Sequence, residues 1–245
     1  MAGRTPLIVA NWKMNTTLPD AMVLATSLHN GLEDIHGIEV VLCPPFPWLV
    51  PIAELFEKAR LRHLALGAQN MFWEDDGPFT GEVSALMLKH LVSHVILGHS
   101  ERVSHFNETE EITNRKLKAA FHHHLKPIVC VGETAKEGNP GHTIVTKLKK
   151  ILDGIGRNRL EELAIAYEPV WAIGSGTPAS GAQAELVAEA IRKEFGDHPT
   201  ILYGGSVEPK NILEFLSQPE IDGALVGGAS LSAHTFLKIC ELAVP

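Results

Sequence analysis

The sequence predicts a closed eight-stranded parallel α/β barrel, (β/α)8, formed as a single domain over residues 1–245. Three observations predict it. Eight short apolar runs alternate strictly with eight longer amphipathic stretches, and several runs are apolar almost throughout, as strands covered on both faces must be. The repeating unit is about thirty residues long, the size of a βαβ unit. No GxGxxG follows the first run, which removes the strongest mark of an open, dinucleotide-binding sheet.

In chain order the candidate strands are residues 7–10, 38–43, 63–68, 94–97, 127–131, 163–167, 200–203 and 221–226. The sixth ends abruptly, because Pro169 follows Glu168 at once and cannot donate to a ladder. The candidate helices are residues 20–30, 48–60, 81–90, 108–123, 141–152, 182–195, 209–216 and 233–242. The fourth shows the end signals most fully. Asn107 is placed to cap it, Glu108, Glu110 and Glu111 favour its positive end, and His122, His123, His124 and Lys126 lie at the negative one. No Ser/Pro-rich linker divides the chain.

Composition narrows the function. A 45% hydrophobic content suits a chain that buries a large core. A net charge of -8 leaves no basic excess to neutralise phosphates, so nucleic acid is not an expected partner. A small anion needs only a local nest of donors and stays open. Cys43, Cys130 and Cys240 form no CxxC pair, and Cys43 and Cys130 end or interrupt apolar runs, so buried free thiols in a reducing compartment are expected. No leader pattern opens the chain and no run is long enough to span a membrane. The expectation is a cytoplasmic protein with no membrane partner.

In such a barrel, chemistry collects where strands end. Asn11-Trp12-Lys13 follows the first strand, Gly98-His99-Ser100-Glu101 the fourth and Glu168 the sixth. Tyr203-Gly204-Gly205-Ser206 follows the seventh and Gly227-Gly228-Ala229-Ser230 the eighth. Taken singly, each has a plain explanation: a solvated lysine, a structural histidine, a tight glycine turn. Together they form a set. Paired glycines on the seventh and eighth units let backbone amides approach a phosphate. His99 stands at the start of a helical turn, where a neutral ring is favoured. The segment after Glu168 is too apolar for a solvated loop and too glycine-rich for a helix, which suits a lid. A base, a polarising group and a fixed cation suit proton abstraction beside a carbonyl through an enediolate. No metal-ligand cluster or cofactor motif accompanies them.

The stretches Asn11-Trp12-Lys13-Met14-Asn15, Gly98-His99-Ser100-Glu101-Arg102, Tyr167-Glu168-Pro169-Val170-Trp171-Ala172-Ile173-Gly174 and Tyr203-Gly204-Gly205-Ser206 resemble, in order and over essentially the whole chain, the motifs of the triosephosphate isomerase family. Gly67-Ala68-Gln69-Asn70 and Cys130-Val131-Gly132-Glu133-Thr134 agree with it. The resemblance implies interconversion of dihydroxyacetone phosphate and D-glyceraldehyde 3-phosphate with no metal or organic cofactor. It implies Glu168 as base, neutral His99 as proton shuttle, Lys13 as the cation facing enediolate and phosphate, and Asn11 and Glu101 as supports. It places phosphate on Gly174, Ser206, Gly227 and Gly228, under a lid of residues 169 to about 179 latched by Ala179 and Tyr203. It also implies a homodimer in which Thr80, beside an exposed Phe79, approaches Asn11 of the other subunit.

Two positions depart from the family pattern. Val103 stands where a second arginine usually follows Arg102, which puts an ion pair in doubt. Pro178 stands in the far hinge of the lid and is expected to alter opening rates rather than closed geometry. Three rival readings remain open at this point. One is an isomerase of a four-carbon sugar phosphate on the same scaffold, which the motif residues discriminate poorly. Another is a catalytically silent phosphate-binding barrel, which has no use for Glu168, His99 and Lys13 together. A metal hydrolase is the third, and its scattered His and Asp ligands are missing.

Overall fold

The structure, a computed structural model, describes residues 4–134, 139–172 and 179–245. Eight parallel strands close into a barrel in sequence order, with the last pairing with the first. They are β1 (Leu7–Asn11), β2 (Glu39–Cys43), β3 (Leu64–Ala68), β4 (His94–Leu97), β5 (Lys126–Glu133), β6 (Ala164–Pro169), β7 (Thr200–Tyr203) and β8 (Gly223–Val226). Pro169 is the last residue of β6, in register with Glu133, so the strand runs one residue beyond the stop expected at Glu168. A terminal position needs no further ladder donor, so proline is tolerated there.

The apolar strands serve two cores. Leu7, Val9, Val41, Cys43, Ile128 and Leu202 belong to the smaller cluster, which fills the barrel interior. Ile8, Ala10, Val40 and Leu42 belong to the larger one, where strands meet helices. Alternation along a strand sends successive side chains to opposite faces, and both faces are dry. All three cysteines are free and buried, and burial pushes their thiols up, as expected of structural residues. Among the described residues no helix is long and apolar enough to cross a membrane.

The helices that cover the barrel are α1 (Leu18–Leu32), α2 (Leu49–Lys58), α3 (Ala85–Leu88), α4 (Ser100–Phe106), α5 (Glu110–His122), α6 (Pro140–Ile151), α7 (Gly181–Phe195), α8 (Ile212–Leu216) and α9 (Ala233–Leu242). Three differ from expectation. The helix expected over residues 81–90 begins only at Ala85. The Val83 carbonyl accepts from the Phe72 amide instead, and the Ser84 hydroxyl caps α3 by accepting from Met87. The helix expected over residues 209–216 likewise starts later, at Ile212. The helix expected over residues 108–123 is present as α5 but begins two residues later, and a separate short helix, α4, precedes it outside that range. Asn107 does not cap α5. It ends α4 in the left-handed conformation, φ 53°, and Thr109 caps α5 through a bond from the Ile112 amide. Glu108 is thereby freed from a helix turn and buried.

One buried group carries a pH signature. His94 opens β4 and is 6% exposed. Burial, aided by the nearby Lys126 charge, lowers its ring to about 4. The unfolded chain therefore binds this proton more readily than the folded one. Stability from the neutral ring is complete above the ordinary value of 6.5 and drains away as pH falls toward 4. Across that window the loss is about 3 kcal/mol. Replacing His94→Asn should flatten the pH dependence of the urea midpoint there; a variant curve parallel to wild type would refute the assignment.

Candidate active site

Seven of the predicted residues, Asn11, Lys13, His99, Glu168, Ser206, Gly227 and Gly228, line one cleft of about 770 Å³. Glu168 sits at the end of β6, 1% exposed. One carboxylate oxygen, Oε1, lies 3.0 Å from His99 Nε2, and the other accepts the Ser100 amide at 2.9 Å. Gly204 makes room for it: a Cβ there would stand 3.0 Å from Glu168 Cγ. Gly98, φ 68°, turns the chain from β4 so that His99 caps α4.

The protonation of His99 follows from its partners. Burial lowers the ring's pKa, but the hydrogen bond and charge of Glu168, with the charge of Glu101, more than offset this, so the net direction is upward. Against this stands the Glu101 amide, which donates to Nδ1 at 3.2 Å. An imidazolium has no lone pair to accept that bond. The geometry therefore favours the neutral ring, with hydrogen on Nε2 facing Glu168. A second proton must first break the helix-cap bond.

Lys13 occupies a left-handed turn, φ 53°, that ordinary side chains avoid. Two contacts hold it there. Its amide donates to Asn11 Oδ1 at 3.0 Å, and Gln69 Nε2 donates to both the Lys13 and Cys43 carbonyls. Strain of this kind persists where the surroundings over-determine it. Its ammonium meets Glu101 Oε1 at 2.6 Å on the cleft wall. The Lys13 stem lies against Gly227, where a Cβ would come 3.2 Å from Cε.

Ser206, Gly227 and Gly228 line the opposite side, where the loops after β7 and β8 meet. Tyr203 stacks on Phe215, and burial raises its hydroxyl to about 12, partly offset by the Ala179 backbone amide. Thr80 is exposed between β3 and α3 and does not line the cleft, and it stands next to a 40% exposed Phe79. Gly174 and Pro178 lie outside the described residues.

Two supports were not legible as such. Glu133 Oε1 accepts from Tyr167 Oη at 2.9 Å and Trp171 Nε1 at 2.8 Å, so it ties the residues flanking Glu168 to β5. Glu108 accepts from the Gly98 amide, Arg102 and Lys116, and Lys116 also donates to Asn70. Burial pushes the Glu108 carboxyl up, but the two cations hold it net below its ordinary range. Arg102 and Lys116 both pair with Glu108, and Val103 takes no part in that network. An acidic residue in a helix-start pattern reads as a dipole partner, which hid Glu108. The Gly132-Glu133 motif marked Glu133 without a role.

A family model described as triosephosphate isomerase matches residues 6–243. The triosephosphate isomerase of Dehalococcoides mccartyi strain BAV1 is 49% identical over 98% of this chain and 97% of its own. That of Carboxydothermus hydrogenoformans is 47% identical over 97% and 98%. The crystal structure of triosephosphate isomerase from Bartonella henselae superposes with a TM-score of 0.83 at 37% identity, covering 97% of this chain and 98% of that one. With the closed barrel and the Glu168–His99–Lys13 cleft already in place, these matches make the chain a member of the triosephosphate isomerase family, an aldose–ketose isomerase that interconverts dihydroxyacetone phosphate and D-glyceraldehyde 3-phosphate.

Proposed function

We propose that the isomerisation runs on the residues gathered at the barrel mouth, the supporting observation being the Glu168 carboxylate 3.0 Å from His99 Nε2 in the cleft that Lys13 also lines. Glu168 leaves the Ser100 amide, takes a proton from the carbon beside the carbonyl and returns it to the neighbouring carbon. The electron pair of the broken C–H bond moves onto the carbonyl oxygen as the enediolate forms. Neutral His99 polarises that oxygen through Nε2–H and relays a proton between the two oxygens. Lys13 stabilises the developing negative charge and the phosphate, while Asn11 and Glu101 hold Lys13 in place. Phosphate rests on amides of Ser206, Gly227 and Gly228, joined by Gly174. Closure of residues 169 to about 179, latched between Ala179 and Tyr203, keeps water out so that the enediolate does not expel phosphate.

In this reading proton transfer needs no metal or organic cofactor, residues 1–245 act as one domain, and the enzyme works in the cytoplasm. It works as a homodimer, with Thr80 approaching the partner's Asn11. Exposed Met14, Phe79 and Met87 support an interface, since so much exposed apolar surface needs a cover. One experiment tests the reading. Turnover of dihydroxyacetone phosphate and of a tetrulose phosphate is followed through a protein dilution series monitored by sedimentation. Specific activity should favour the triose and fall as the dimer dissociates. Full activity in the monomer would remove the shared-site claim, and preference for the tetrulose would remove the substrate assignment.

A further inference from the structure

A second cavity, about 430 Å³, lies behind the catalytic base. Its volume is within the range of small-molecule sites. Glu168 lines both this cavity and the substrate cleft, and Ser100, whose amide holds Glu168, also lines the second one. Val103, Cys130, Val131, Ile151 and Val170 supply apolar wall. Val103 is the residue that departs from the family's second arginine, so a short side chain stands where the family carries a long one.

The polar lining decides what fits. Glu108, Glu110 and Glu168 line it together with a single ammonium, Lys147, among the described residues, so a substrate dianion is repelled. The Lys147 ammonium donates to the Gly132 carbonyl, and Ser104 Oγ donates to the Glu101 carbonyl, leaving the serine's lone pairs to accept. The complement is an uncharged aromatic ring carrying one N–H donor.

We propose that this cavity is an inhibitory site for compact, uncharged, N–H-bearing aromatic molecules. The proposal rests on the isomerase reading for its consequence but not for its binding. Glu168 must leave the Ser100 amide to reach a substrate carbon. A ring packed against Ser100 and Val170 holds the carboxylate where it is, so the ligand selects the resting arrangement. Inhibition then acts on kcat with KM nearly unchanged. An unchanged KM requires, by linkage, that a phosphate-bearing substrate analogue and the ring leave each other's affinity nearly unchanged, because the movement of Glu168 belongs to the chemical step.

Indole is the probe. Saturating indole should lower kcat at least about five-fold with little change in KM, and amide shifts in a ¹⁵N spectrum should centre on Ser100, Val103 and Thr134. Val103→Arg, on the cavity wall and outside the catalytic set, should keep basal kcat and KM while weakening the indole effect about ten-fold. Competitive kinetics, shifts centred on Gly204 and Gly228, an unchanged indole effect in Val103→Arg, or no shifts at all would overturn the proposal. The spectra need no turnover, so an inactive protein would count against the isomerase reading while the site is still decided. If Val103→Arg fails to fold, the wild-type shift map alone decides.

Discussion

Glu168→Asp is expected to lower kcat on the order of 100-fold with KM changed little. The substitution keeps the carboxylate and withdraws it by one methylene, a shift of about 1 Å, enough to spoil a near-attack geometry. Glu168 is held by two contacts, His99 Nε2 and the Ser100 amide, which lie at the cap and first residue of α4, just after β4. The shorter side chain loses reach toward the cleft without leaving a cavity large enough to unfold the barrel. Turnover measured beside an unchanged urea midpoint checks the claim. Activity within about two-fold of wild type would remove Glu168 from the role of base.

Lys13→Met is expected to cost on the order of 10²–10³ in kcat, the scale of one preorganised charge or donor facing a developing oxyanion. Methionine keeps an unbranched stem, so the left-handed turn held by Asn11 and Gln69 should survive. What goes is the ammonium, and with it the 2.6 Å contact to Glu101. Because the phosphate is a dianion, KM should rise as well, in contrast to Glu168→Asp. Inhibition by a phosphate-bearing analogue measured on both variants separates the two: affinity retained in Glu168→Asp and lost in Lys13→Met. Equal affinity in the two would show that Lys13 does not meet the anion.

The chain order of strands and the strand-end positions of Asn11, Lys13, His99 and Glu168 were legible because both depend on local pattern. A run such as Ile128-Val129-Cys130-Val131 is apolar on both faces wherever the barrel places it. Glu168 stands at a strand end because Pro169 terminates the ladder, and closure of the barrel turns that end toward the other seven. The family motifs then named the chemistry. Helix boundaries read less well where side chains find partners far along the chain. Asn107 and Thr109 are both good caps by composition, and choosing between them requires knowing that Glu108 turns inward to meet Lys116, Arg102 and the Gly98 amide.

By itself, then, the sequence determined the eightfold alternation, the free buried cysteines and the set Asn11, Lys13, His99, Glu101 and Glu168, since spacing and neighbours are properties of the chain. Tertiary structure alone decided four further things. It placed Glu168 against His99 and Ser100, and it put an amide on His99 Nδ1 that favours the neutral ring. Glu108 became the hub joining Asn70, Gly98, Arg102 and Lys116 through the Lys116 bridge, and Val103 came to line a cavity shared with the base. The Glu101 amide, two residues from His99, meets Nδ1 through the turn that opens α4; the other three depend on groups far apart in the chain meeting at hydrogen-bond or van der Waals distance, and closure of the barrel creates those distances.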